Sequence, residues 1–178
     1  MEVVVVVLNL AYLLLILKEV RFGWCFGIAG SALFVYANIR QQLFMDALLN
    51  SYYVLAGFYG FYKWKKDTTD IAVRQWGNAK TMLAVFLCSA SGLGMGWLFA
   101  QKTGSNWSLA DGVVTLLSFL ATWMTARKYL ENWLVWLVAN PLAMVLYYYK
   151  GGILYPLLFA FYTILAAMGY YSWRKQVV

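Results

Sequence analysis

The chain has 178 residues, of which 63% are apolar, 19% aromatic and 12% charged, and its net charge is +7. A soluble domain carries roughly 45–50% apolar and about 25% charged residues, and a small globule cannot cover such an excess with polar surface. The composition therefore excludes a soluble protein and predicts one that resides in the lipid bilayer. Histidine is absent, which excludes Ser-His catalysis and His-ligated zinc, so neither a metal nor another cofactor is expected.

Seven apolar runs separated by short charged loops predict seven transmembrane helices. Their lengths and the lack of strict alternation indicate helices rather than barrel strands. In chain order the predicted spans are residues 3–17, 24–39, 43–62, 82–100, 109–126, 133–149 and 153–172. The expected fold class is an all-α membrane protein with seven transmembrane helices.

The positive charges are distributed unevenly between the two faces of the predicted bundle. Eleven of the fourteen Lys and Arg residues lie in loops 18–23, 63–81 and 127–132 or in the C-terminal tail. The opposite face carries three, namely Arg40, Lys102 and Lys150. Because positive residues stay in the cytoplasm, the N-terminus is predicted outside and the C-terminus inside. The basic charge then reflects topology, and no nucleic-acid partner is expected.

An internal repeat is visible when the sequence is aligned with itself at an offset of 109 residues. The matched pairs include Trp24/Trp133, Tyr53/Tyr162, Gly60/Gly169, Tyr62/Tyr171 and Trp64/Trp173. The division predicted from this repeat is a first repeat at 1–66, a loop with a connecting helix at 67–108, and a second repeat at 109–178. Three helices in each repeat and one between them predict a parallel 3+1+3 arrangement, the architecture of SWEET-type transporters.

Polar side chains within the spans are functional candidates, because lipid offers them no partner. Asp46, Asn50 and Tyr53 share one face of the third helix, and Trp133, Trp136, Asn140 and Tyr147 share one face of the sixth. On the fifth helix, Asp111 and Ser118 follow helical spacing. Both aspartates lie near the outer ends of their helices, where a gate or cap role is as plausible as ligand binding. The asparagines are also candidates for hydrogen bonds between helices.

The two repeats differ where a ligand would bind. Gly27 and Ser31 stand in the first repeat where Trp136 and Asn140 stand in the second. Such asymmetry suits a ligand with a flat ring at one end and polar atoms at the other. The predicted substrate-binding residues are Asn50, Tyr53, Ser118, Trp133, Trp136, Asn140, Tyr147 and Tyr162. Three tryptophans at helix ends are instead predicted to be anchors at the lipid interface: Trp24, Trp64 and Trp173.

The segment Glu131-Asn-Trp133-Leu-Val-Trp136, with Asn140 and Tyr147 after it, resembles the WxxW helix of the PnuC-type vitamin transporters. Residues 43–53 and 59–64 resemble the third helix of that family, and the similarity covers nearly the whole chain. The resemblance implies facilitated diffusion of a B-vitamin precursor across the bacterial inner membrane and its retention by cytosolic phosphorylation. It also implies a pocket formed by the third and WxxW helices, commonly in a homotrimer.

The resemblance does not identify which vitamin is transported. Asn50 stands where nicotinamide riboside members tend to have Gln, and Val145 stands where they tend to have Pro. These departures favour thiamine slightly, with nicotinamide riboside as the alternative. Both are cationic aromatic compounds that ring faces can hold. A SWEET-type sugar carrier is a more distant alternative, since neither proline is followed by Gln. A retinal protein would need a lysine within 153–172, which is absent, and no catalytic cluster indicates an enzyme.

Overall fold

The computed structural model describes residues 2–40, 44–65, 72–103, 107–151 and 154–177. Within these ranges the chain forms seven α-helices and two isolated β-bridges. In chain order the helices are α1 (Glu2–Leu17), α2 (Gly23–Arg40), α3 (Phe44–Lys63), α4 (Asn78–Thr103), α5 (Ser108–Ala126), α6 (Asn132–Tyr149) and α7 (Leu154–Arg174). The seven predicted helices are therefore present. The largest difference is at α4, which begins at Asn78 instead of residue 82.

Three of the described helical segments are long and apolar enough to cross a bilayer by length and composition: Asn78–Gln101, Ser108–Ala126 and Leu154–Arg174. A fourth apolar stretch, Val4–Leu17, is shorter. Many large apolar side chains on the helices are exposed, among them Phe86 and Leu83 on α4. An exposed apolar face of this extent is compatible with lipid as the surrounding medium and not with water.

The chain divides into two compact units. The first comprises Met1–Ala72 with Thr125–Lys128, so it contains α1, α2 and α3. Trp24 at the start of α2 is buried and lies edge-on to Trp64, with ring centroids 5.5 Å apart and planes at 88°. Gly60 of α3 permits this contact, because a Cβ there would lie 2.5 Å from an atom of the Trp24 ring. The Trp64 indole Nε1 donates a hydrogen bond to the Ala126 carbonyl oxygen at 3.1 Å.

The second unit comprises Val73–Met124 and Tyr129–Val178, which include α4, most of α5, α6 and α7. Its core is formed by side chains of α5 and α6: Leu117, Ala121, Met124, Val135 and Ala139. Glycines bring the backbones of α4 and α5 together, since a Cβ at Gly92 would lie 2.7 Å from the Gly112 carbonyl oxygen. Close backbone approach of this kind is typical of helix packing in membranes.

The second unit contains a tryptophan contact that matches the one in the first. Trp133 and Trp173 lie edge-on, with centroids 5.2 Å apart and planes at 86°, and Gly169 faces the Trp133 ring. These three residues follow Trp24, Trp64 and Gly60 at an offset of 109. We call each set a Trp–Gly–Trp contact. The prediction that Trp24, Trp64 and Trp173 anchor at the lipid interface is wrong, because they are only 1%, 5% and 0% exposed and pack inside their own units.

Glu19 and Lys128, which also differ by 109 in number, bind each other within the first unit. They form an ion pair whose side chains are 16% and 10% exposed. Both have left-handed backbone conformations, with φ of 56° and 54°. The Lys128 ammonium also lies 4.7 Å from the centroid of the Trp64 ring, within the range of a cation–π interaction.

Candidate functional site

The candidate residues of α3 belong to the first unit. Asn50 Nδ2 donates to the Asp46 carbonyl oxygen at 2.8 Å, one turn earlier on the same helix. Its own carbonyl oxygen is then the amide atom suited to accept a hydrogen bond from a ligand. Tyr53 is half-buried, and its ring centroid lies 6.2 Å from that of Tyr52. The helix therefore places an acceptor and an aromatic face one turn apart.

The candidate residues of α6 lie in the second unit and have two different environments. Trp133 is 1% exposed and its ring is occupied by Gly169 and Trp173, so it supports the helix rather than offering an open ring face. Its indole Nε1 is buried and has no hydrogen-bond partner among the described residues. Trp136 is half-buried against the apolar core, and Asn140, one turn further on, is 4% exposed.

An aromatic cluster connects α6 to α7. Tyr147 stacks on Phe159 with centroids 5.5 Å apart and planes at 19°, and it also contacts Tyr155 at 5.3 Å. Phe159 in turn lies edge-on to Tyr162 at 5.9 Å. We call Tyr147, Tyr155, Phe159 and Tyr162 the aromatic cluster. The structure therefore joins the predicted Tyr147 and Tyr162 through Phe159, which was not predicted to contact a ligand.

The Tyr162 hydroxyl is the polar atom of this cluster that lacks an internal partner. It is buried, and no hydrogen bond to it is found among the described residues. A buried hydroxyl without a hydrogen bond lowers the stability of the fold by about 1–3 kcal/mol, so such a group usually has a structural or functional role. A ligand bound next to the aromatic cluster would supply the missing partner.

An ion pair lies beside the aromatic cluster. Lys150 Nζ is 2.6 and 2.8 Å from the two carboxylate oxygens of Asp111, and it lies 5.2 Å from the centroid of the Tyr147 ring. Both side chains are about one quarter exposed. Asp111, predicted as a possible gate, thus bridges the beginning of α5 and the end of α6. Ser118, two turns further along α5, is 5% exposed.

Two residues of the aromatic cluster, Tyr155 and Phe159, could have been predicted from the sequence but were not. Tyr155, Phe159 and Tyr162 follow i, i+4, i+7 spacing on α7, which places them on one helix face. Their partner on α6 could not be read from spacing. Among the described residues no group of His, Cys, Asp or Glu is suited to hold a metal ion. The candidate residues offer ring faces, hydroxyls and amides, with the Asp111–Lys150 ion pair beside the aromatic cluster.

The chain is similar to known transporters along almost its whole length. The family model described as nicotinamide mononucleotide transporter matches residues 1–175. The nicotinamide riboside transporter PnuC of Neisseria mucosa is 27% identical over 175 residues, which cover 87% of this chain and 64% of that protein. The Escherichia coli protein of the same name is 22% identical over 179 residues, covering 85% of this chain and 75% of its own length.

A solved structure, the crystal structure of the vitamin B3 transporter PnuC, has a similar fold. Its TM-score is 0.73 at 23% identity, and the match covers 97% of this chain and 79% of that chain. The chain spans slightly less than two thirds of the Neisseria mucosa relative. The family match confirms the resemblance found in the sequence. The chain belongs to the PnuC nicotinamide mononucleotide transporter family.

Proposed function

We propose that this protein carries nicotinamide riboside across the bacterial inner membrane by facilitated diffusion. The relatives are named as nicotinamide riboside transporters, which favours this substrate over the thiamine that the departures at Asn50 and Val145 favoured. The observation that carries the proposal is the aromatic cluster with its buried, unpartnered Tyr162 hydroxyl. Ring faces suit a cationic pyridinium, and a spare hydroxyl suits a polar substituent.

The residues proposed to bind the substrate lie on α3 of the first unit and on α5, α6 and α7 of the second. Asn50 and Tyr53 of α3 supply an acceptor and a ring, and Ser118 of α5 supplies a hydroxyl. On α6 and α7 the proposed contacts are Trp136, Asn140, Tyr147 and Tyr162. Trp133 has a supporting role in this scheme, because its ring already packs on Gly169. It holds α6 against α7 and so sets the position of Trp136 one turn further along.

The mechanism we propose is uniport by alternating access. Asp46 and Asp111 lie in the first turns of α3 and α5, not at mid-helix, so they are unsuited to couple a proton to a central site. The Asp111–Lys150 ion pair serves as a gate element beside the aromatic cluster. Accumulation inside the cell then requires phosphorylation of the vitamin in the cytosol.

The architecture we propose is seven spans in a parallel 3+1+3 repeat, with the N-terminus outside, the C-terminus in the cytoplasm and the chain in a homotrimer. Support for the repeat comes from the two Trp–Gly–Trp contacts, which have nearly equal distances and angles in separate units. Support for the orientation comes from the excess of Lys and Arg on one face.

Uptake into proteoliposomes tests the proposed function. Vesicles containing the purified protein should take up labelled nicotinamide riboside down its gradient, without an imposed proton or sodium gradient. Nicotinamide mononucleotide should be taken up far more slowly, because its phosphate would lose hydration with no cationic partner at mid-depth. Uptake of thiamine in preference to the riboside, or equal uptake of the mononucleotide, would overturn the substrate assignment.

A further inference from the structure

A separate polar pocket lies in the second unit, at the end where α4 and α6 begin and α7 ends. Its volume is about 300 Å³, at the lower end of the range for small-molecule sites. The residues that line it are Gln75, Asn78, Leu130, Glu131, Leu134, Tyr170 and Arg174. In the orientation proposed above, this end of the bundle faces the cytoplasm. It is therefore distinct from the aromatic cluster, which lies toward the other end of α6.

The carboxylate of Glu131 is held rigidly in the wall of this pocket. It is 3% exposed and accepts hydrogen bonds from the backbone N–H groups of Trp76 (2.9 Å) and Gly77 (2.8 Å), one on each oxygen. The two oxygens of a carboxylate together offer about four acceptor positions, so acceptor capacity remains for a ligand. Because both bonds come from backbone just before α4, the group is preorganised and its charge is partly balanced by the helix N-terminus.

In the first repeat, the residues at the equivalent positions contact one another. Residues 109 positions earlier are Arg21, Phe22 and Phe61 in place of Leu130, Glu131 and Tyr170. Arg21 Nε donates to the Phe61 carbonyl oxygen at 2.8 Å, and its guanidinium carbon lies 3.8 Å from the Phe61 ring centroid. Phe22 also packs edge-on against Phe61 at 6.3 Å. The polar residues that line the pocket are therefore specific to the second repeat, and the packing of the repeat does not require them.

We propose that this pocket is a second substrate site, at which Glu131 accepts hydrogen bonds from the vicinal hydroxyls of a ribose as the nucleoside leaves toward the cytoplasm. A fixed carboxylate is the group that recognises ribose hydroxyls in dinucleotide sites, because its two oxygens match a diol. Tyr170 and the amides of Gln75 and Asn78 supply further polar contacts. The ligand proposed here is the nucleoside itself, and its ribose diol is the group that Glu131 recognises. This inference rests on the proposed transport of nicotinamide riboside.

Competition with a 2′-deoxy analogue tests the role of the diol. Inhibition of labelled nicotinamide riboside uptake is measured with unlabelled nicotinamide riboside and with its 2′-deoxy analogue, and the ratio of the two inhibition constants is the readout. The wild type should prefer the riboside, and Glu131→Gln should reduce this preference roughly 5- to 10-fold, the effect of one lost hydrogen bond to a charged group. An unchanged ratio in a folded Glu131→Gln protein overturns the proposal.

A matched pair of tyrosines provides the control and keeps the test valid if Glu131→Gln does not fold. Tyr170 lines the pocket, whereas its neighbour Tyr171 is 66% exposed. Tyr170→Phe should lower the preference for the riboside roughly threefold, and Tyr171→Phe should leave it unchanged. Equal ratios in both variants and the wild type overturn the proposal. Absence of riboside uptake by the wild type would instead refute the proposed function, so the two failures are distinguishable.

Discussion

The packing of α4 on α5 leads to a sharp prediction about two glycines that stand two residues apart. A Cβ at Gly96 would lie 2.6 Å from the Leu109 Cα and closer still to the Ser108 carbonyl oxygen. These atoms belong to backbone and cannot rotate away. A Cβ at Gly94 would meet no atom within 4 Å. The same Gly→Ala change therefore produces overpacking at one position and none at the other.

We expect Gly96→Ala to lower the free energy of unfolding by about 3 kcal/mol, the upper end of the range for overpacking, because the helices must separate. In a chain of this length 1 kcal/mol shifts Tm by roughly 2–4 °C, so the expected loss is roughly 6–12 °C. Gly94→Ala should keep Tm or raise it slightly, because alanine is the better helix former by about 1 kcal/mol.

Thermal unfolding of the purified protein in one detergent, followed by tryptophan fluorescence, provides the measurement. Both variants are compared with the wild type at the same protein and detergent concentrations. A Gly96→Ala protein that unfolds within about 1 °C of Gly94→Ala would refute the close backbone packing of α4 on α5.

Three further predictions concern the site and the charged residues. Trp136→Ala and Asn140→Ala should each raise the Kd for nicotinamide riboside, as measured by isothermal titration. The lost ring contact of Trp136 should raise it about 30-fold, and unchanged affinity in both variants would place the site elsewhere. Tyr162→Phe should raise Tm of the empty protein, because a buried unpaired hydroxyl is removed, while affinity falls roughly 2- to 10-fold; a lower Tm contradicts this. Glu19→Lys should destabilise by about 3 kcal/mol, and adding Lys128→Glu should recover most of that loss in thermal unfolding; no recovery argues against the ion pair.

The local patterns of the sequence were sufficient to predict the helices, because hydrophobic run length is a property of neighbouring residues. Each of the seven predicted spans corresponds to a helix in the described structure, and the motifs around Trp133 and Tyr62 were sufficient for the family. The late start predicted for α4 has a simple cause. Residues 78–81 are mostly polar, so they do not extend an apolar run, yet they belong to the same helix and residues 78–80 are exposed.

Sequence patterns could not predict whether a tryptophan at a helix end faces lipid or is buried. Trp24 and Trp173 lie at helix ends, where interfacial anchoring is the usual role. Yet both are buried, Trp24 against Trp64 and Gly60, and Trp173 against Trp133. The contact is made between residues that are distant in the chain, and only the crossing of two helices decides whether a ring meets lipid or another ring. The same holds for Phe159, whose contact with Tyr147 depends on how α7 packs on α6.

The sequence by itself determined that the chain is a helical membrane protein and which family it belongs to, and it predicted that two three-helix segments are alike. These properties depend on composition, on periodicity and on short motifs, all of which are local or compare one stretch of chain with another. The tertiary structure alone decided that Trp133 is a packing residue, that Tyr162 holds an unpartnered hydroxyl, and that Glu131 is fixed in the wall of a pocket. Each depends on distances between residues that are far apart in the chain, and such distances arise only when the helices pack.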